Sequence, residues 1–255
     1  MTLLMLGNET AKGLRILWAR RVTLLPQVGL LAMLYLLFQL VLGGGRLVDE
    51  LLPRTLLAFS IYVVGYIALL KMVAGLLEEV NAGTLEQVHL SPLRPWQLSL
   101  GRLGATLTEG LITALLLGAL FTVALGIHIP ARPAALIPLA LTLLDIAGFA
   151  LLVGGLALLV NAVGAIVHVL NSVVMMINGS VVPISAFPPG LELAAKLVPT
   201  TLGIESTRRV LLEGSSLAGS GLPWLAVHAA VMLLAGWLTY QVAIRRGLRD
   251  GRLGP

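Results

Sequence analysis

Long apolar stretches separated by short polar breaks dominate the chain. Six of them, at residues 22–42, 54–77, 104–127, 133–160, 163–183 and 222–244, are long enough for a helix to cross the roughly 30 Å hydrocarbon core of a bilayer. Ahead of the first, residues 8–21 follow a different rhythm. Ala11, Leu14, Leu17 and Trp18 share one helical face, while Lys12, Arg15 and Arg20 point elsewhere. That pattern predicts an amphipathic helix lying in the headgroup layer. The chain as a whole is predicted to be an all-α polytopic membrane protein, a single transmembrane domain over residues 1–255. Two polar interruptions stand out: a loop at 78–103 between spans two and three, and a charged, proline-broken segment at 184–214 between spans five and six.

Composition agrees. With 58% hydrophobic residues, 11% charged residues and a mean hydropathy of +0.97, there is too little polar surface to cover a soluble globule. The net charge of +5 does not point to nucleic acid, because the basic residues sit at span ends and not in an aromatic-interleaved patch. They report orientation instead. With both termini in the cytoplasm, Lys12, Arg15, Arg20, Arg21, Lys71, Arg94, Arg102, Arg245, Arg246, Arg249 and Arg252 fall inside, and Arg46, Arg54, Arg132, Lys196, Arg208 and Arg209 outside. This is the positive-inside pattern. The connection at 161–164 carries no Lys or Arg, so spans four and five are oriented by their neighbours. The first apolar run follows a basic segment, as a secretory signal does, but it is long and lacks a small-residue cleavage site in a polar exit; a retained span is predicted. The absence of Cys removes disulfides, thiolate metal ligands and thiol nucleophiles together.

Polar chemistry concentrates in the loop between spans two and three. The second span runs on through Glu78 and Glu79, and Asn81 with Gly83 supplies the left-handed conformation that commonly ends a helix. Thr84 and Gln87 then form a capping box, starting a short helix at Leu85. Glu86 complements the positive end of its dipole, and Ser91-Pro92 stops it after about two turns. Pro95 restarts a helix that passes through Gly101 and Arg102 into the third span. The result is a stubby helix held off the membrane by two breaks.

These residues resemble the inner loop of the membrane subunits of type-2 ATP-binding-cassette exporters, the drug-resistance and polysaccharide-export permeases. The resemblance rests on Glu79, Gly83-Thr84-Leu85-Glu86, Ser91-Pro92 and Gly101-Arg102 in that order. A second region after span five, with Pro183, Phe187-Pro188, Pro199-Thr200 and Arg209, resembles the outer re-entrant segment of that family. The resemblance implies that Glu79, Gly83, Thr84, Leu85, Glu86, Ser91 and Pro92 couple the chain to a separate ATPase subunit. It also implies that Pro183, Phe187, Pro188, Pro199, Thr200 and Arg209 form an outer gate. Further implications are a second copy of the chain or a homologous permease as partner, ATP and Mg on the ATPase subunit with no cofactor on this chain, residence in the cytoplasmic (inner) membrane, and export of a drug, lipid or lipid-linked glycan.

The outer segment can also be read from its residues alone. Pro188 and Pro189 open a helix, Pro199 interrupts it, and a second piece runs to Gly214, with Glu192/Lys196 and Glu205/Arg209 as i,i+4 pairs. Such pieces are too short and too charged to span, so they form either a solvated cap or a partly re-entrant lid. Within the spans, Glu109 and Asp145 each cost about 2.5 kcal/mol or more at the bilayer centre on insertion scales. They are pathway candidates together with His168 and Asn171, against the alternative that each is satisfied by a neighbouring helix. Thr106, Gly110, Ala114, Gly118, Thr122 and Gly126 recur every four residues and permit close helix approach, within one subunit or across a dimer seam. The Asn178-Gly179-Ser180 sequon lies at an apolar span end, which argues against glycosylation.

What the chain lacks bears on its energy source. It contains no Gly-Lys dipeptide and hence no Walker A loop, no Gly-x-Ser-x-Gly elbow and no His-Glu-x-x-His pair, and its four histidines are scattered. Two alternatives to the permease remain open from sequence: a secondary transporter driven by protons through Asp145 or Glu109, and an intramembrane enzyme acting on lipid.

Overall fold

The computed structural model describes residues 11, 15, 18, 19, 21–82, 95–159 and 163–249. Their regular elements are all helical: α1 (Arg21–Leu42), α2 (Leu52–Asn81), α3 (Pro95–Leu125), α4 (Leu136–Leu159), α5 (Val163–Ile177), α6 (Pro189–Lys196), α7 (Thr201–Leu211) and α8 (Leu222–Arg249), with 3-10 turns at Pro133–Ala135, Ile184–Ala186 and Ala218–Ser220. Ala11, Arg15, Trp18 and Ala19 of the expected interfacial helix are helical; the rest of it lies outside the described residues.

Five helices, α1, α2, α3, α8 and α4 with its leading 3-10 turn, are long and apolar enough to cross a membrane. The fifth apolar run, expected to span through residue 183, is helical only through Ile177. Its 15 residues reach about 22 Å, short of the hydrocarbon thickness. The cause is local. Asn178 Oδ1 accepts a hydrogen bond from the Ser180 N–H at 3.0 Å, and Gly179 takes φ 82, so an Asx-type turn ends the helix inside an apolar sequence. The turn at the other end of α2 also differs from expectation. Asn81 is the last helical residue and is not left-handed, and Ala82 follows with right-handed helical angles.

Proline punctuation behaves as the sequence predicts elsewhere. Pro95 opens α3, Pro188 and Pro189 open α6, and Pro199 lies in the break before α7. At these positions the missing proline N–H is one that a helix start leaves unbonded anyway.

α2 is the central post. Two thirds (67%) of its most apolar stretch is buried, against 50% for α4 and 17–28% for α1, α3 and α8. A Cβ added at Gly148, Gly155 or Gly236 would run into the backbone of the facing helix, so α4 and α8 pack along a seam that only glycine allows. In the α3 stripe, Gly110 packs against the Val64 backbone, at 3.0 Å from a Cβ built there, whereas Gly118 meets nothing. Close packing within the chain thus accounts for the first part of that stripe. Leu115 and Val123 on α3, Met33 on α1 and Leu234 on α8 leave large apolar faces uncovered, as a bilayer-facing surface does. The end of the bundle where α2 leaves and α3 returns is the loop end. The opposite end, where α5 runs into α6 and α7, is the cap end.

Candidate functional site

Two polar joints interrupt the apolar bundle, one at each end. At the loop end the carboxylate of Glu79, near the end of α2, pairs with the guanidinium of Arg102 in the second turn of α3. Both side chains are about a quarter exposed. The guanidinium lies over Gly75, where a Cβ would meet its Nη1 at 3.3 Å. Deeper along the same two helices Lys71 pairs with Glu109, whose side chain is nearly buried. Ser99 on α3 donates to the hydroxyl of Tyr240 on α8. Three side-chain contacts therefore bind the roots of the loop to each other and to the last helix. Pairing offsets the cost of carrying these charges into a low-dielectric setting, and removing one partner leaves the other uncompensated. Glu79 is the one residue of the expected coupling set that is described. Gly83, Thr84, Leu85, Glu86, Ser91 and Pro92, and the predicted capping box between Thr84 and Gln87, lie outside the described residues.

At the cap end the hub is Asp145, buried to 1% exposure in the middle of α4. Its Oδ2 accepts the Thr200 N–H at 3.1 Å, and its Oδ1 lies 2.8 Å from Nδ1 of His228 on α8. His228 Nε2 faces the Leu197 carbonyl at 3.2 Å. Both ring nitrogens thus face oxygens, one on α4 and one at the exit of α6, so the ring is held from two sides. Thr200 is the N-cap of α7 and, at φ 77, the one non-glycine residue with positive φ among the described residues. Such a conformation persists only when the surroundings over-determine it. Here they do. The Thr200 N–H is held by Asp145, its hydroxyl accepts from Asn178 Nδ2 at 2.9 Å, and its methyl lies 3.3 Å from a Cβ built on Gly65 of α2. One residue in the break between α6 and α7 is therefore anchored to α2, to α4 and to the turn after α5, while the carboxylate that holds it also holds α8. Just beyond, Gly203 of α7 packs so closely on Thr142 of α4 that a Cβ would collide with the threonine side chain.

The remaining predicted residues are dispersed. Pro183 precedes the 3-10 turn Ile184–Ala186, Phe187 follows it half-buried, and Pro188 caps α6. Pro199 is buried, and Arg209 lies 3.8 Å from Glu205. Asn171 is buried with its Nδ2 unbonded, close to Tyr62, whose hydroxyl reaches the Asn171 carbonyl at 3.5 Å. His168 is exposed. Glu109 pairs with Lys71, Asp145 with Thr200 and His228, and Asn171 lies beside Tyr62. Among the described residues no three potential metal-ligating side chains cluster.

Lys71, Ser99, Asn178, His228 and Tyr240 complete the two joints and were not singled out from sequence for these roles. A signal existed for His228, a second ionisable group in an apolar span, able to share the cost of Asp145. Nothing in sequence marked Ser99 with Tyr240, which are 141 positions apart.

Residues 9–212 match the family described as ABC-2 type transporter, and no curated protein matches the chain.

Proposed function

As the chain belongs to the ABC-2 type transporter family, a multi-pass membrane component distinct from the ATPase, we propose that it is the permease subunit of an ATP-driven exporter. In this reading the chain crosses the cytoplasmic membrane six times, through α1 to α5 and α8, with the turn and residues 178–183 completing the fifth crossing. The loop end faces the cytoplasm, and residues 83–94 dock on a separate nucleotide-binding subunit that holds ATP and Mg. Two permeases, identical or homologous, pair with two ATPases. Closure of the ATPases around ATP pushes the loops, and the bundle alternates between inward- and outward-open forms. The cargo class is hydrophobic or amphiphilic: a drug, a lipid or a lipid-linked glycan.

The observation that carries the reading is the joint at the loop end. A docking loop transmits force only if its two roots move as one body. The Glu79–Arg102 and Lys71–Glu109 pairs and the Ser99–Tyr240 contact tie α2, α3 and α8 together at that level. The cap joint plays the complementary part, since Asp145 and Thr200 join the outer helices to the spans whose tilt would open them. The coupling step is tested by Glu86→Ala. The variant is expected to insert and to co-purify with the ATPase while cargo moved per ATP hydrolysed falls about tenfold, an ordinary size for a lost coupling between sites. Unchanged cargo per ATP in that variant removes the coupling assignment.

A further inference from the structure

A groove of about 640 Å³ opens at the cap end between α6 and α7 on one side and the first three turns of α8 on the other. Its walls are Leu193 and Leu197 from α6 and its exit, and Trp224, Val227 and Val231 from α8, with exposures of 57–73%. Lys196, Glu205 and Arg209 sit on its lining. Two further lining residues are tied to each other and to the turn before α8: Ser206 donates to the Ser220 carbonyl at 2.9 Å and Ser220 to the Leu217 carbonyl at 2.8 Å. Its walls are apolar and exposed, as a lipid-facing surface is.

We propose that this groove is a binding site for one membrane phospholipid of the leaflet at the cap end, its acyl chain between α6 and α8 and its phosphate on Arg209 and Lys196. The volume is that of an ordinary small-ligand site, and the lining has the usual form of apolar walls with a few convergent polar groups. An apolar groove facing hydrocarbon gains dispersion contacts with a chain and none when empty. Water has no partners along the walls. Trp224 supports the orientation: it is the third residue of α8, where an indole belongs at headgroup level, and Arg209 reaches the Gly221 that precedes that helix.

Both cations have capacity to spare. Lys196 uses one of its three donors on Glu192 at 2.6 Å, and this bond holds its pKa above the ordinary value, so it stays protonated. Arg209, 3.8 Å from Glu205 and two-fifths exposed, keeps donors of its fixed fork for phosphate oxygens. His228 lines the same groove, so the lipid and the Asp145–His228 contact hold the same seam between cap and last span. The proposal requires only that the chain spans a bilayer, and it is independent of the ATPase assignment.

The test uses the full chain purified in neutral glycoside detergent, with phosphatidylglycerol, phosphatidylethanolamine and diacylglycerol added in separate arms and bound lipid counted by native mass spectrometry. One phospholipid per chain is expected, with diacylglycerol held about tenfold more weakly. The double variant Arg209→Gln/Lys196→Gln should reduce phospholipid to the diacylglycerol level. Val231→Trp, which fills the groove, should abolish both. A second measurement leaves the groove residues unaltered. Phospholipid brominated along its chains should quench Trp224 saturably at about one lipid per chain, read in protein carrying Trp18→Phe, Trp96→Phe and Trp237→Phe. Equal retention of diacylglycerol and phospholipid, or quenching that rises linearly without saturation, overturns the proposal.

Discussion

Asp145 shows how an expensive residue is made affordable by position. A carboxylate at mid-span is costly, and this one is offset by the Thr200 N–H and the His228 ring. Asp145→Ala leaves both without their acceptor and is expected to destabilise the chain by about 3 kcal/mol, the usual scale for breaking a buried pair from one side. A thermal unfolding series in detergent measures it. Asp145→Asn keeps an acceptor for Thr200 and should cost less, with transport of a neutral cargo unchanged; a loss of transport without loss of stability would instead put the carboxyl in the pathway. Gly203→Ala drives a methyl into Thr142 and should cost about 1–3 kcal/mol, most of it recovered in Gly203→Ala/Thr142→Ala. From sequence the cost of Asp145 was legible and its partners were not, because they arrive from 55 and 83 positions away and only tertiary packing brings them together.

At the level of elements, the loop end makes two predictions from one contact. Glu79→Arg and Arg102→Glu each place like charges against one another and should reduce cargo moved per ATP by about tenfold, while the double exchange restores it. Coupling that stays low in the double exchange, in protein that folds and binds its ATPase, would mean that the pair is not what joins the roots. The boundaries of α3, α6 and α7 were legible because proline acts locally, through its missing N–H and the limits it puts on its neighbour. The early end of α5 was not. Hydrophobicity averaged over residues 163–183 hides the Asn178-Gly179 turn, whose polar side chain bonds its own backbone and is further satisfied by Thr200 from the cap. Glu79 and Arg102, both part of the resemblance from the start, turned out to be partners across the loop, which no spacing rule along one helix would have linked.

The whole molecule is a bundle centred on α2, with α4 and α8 fused along glycines and polar joints at both ends. Its broad class was readable from hydropathy alone, since bilayer thickness sets the length of the spans. The joints were not readable, because each brings together side chains from different helices, and they tie α2 to α3, α3 to α8 and α4 to α8. The most direct measurement is cargo flux in proteoliposomes containing the chain with its ATPase subunit, compared with the chain alone under an imposed pH gradient. The permease account predicts flux only with the ATPase, ATP and Mg present, and none from the chain alone at any gradient. Proton-driven flux by the chain alone, with no dependence on ATP, would contradict it.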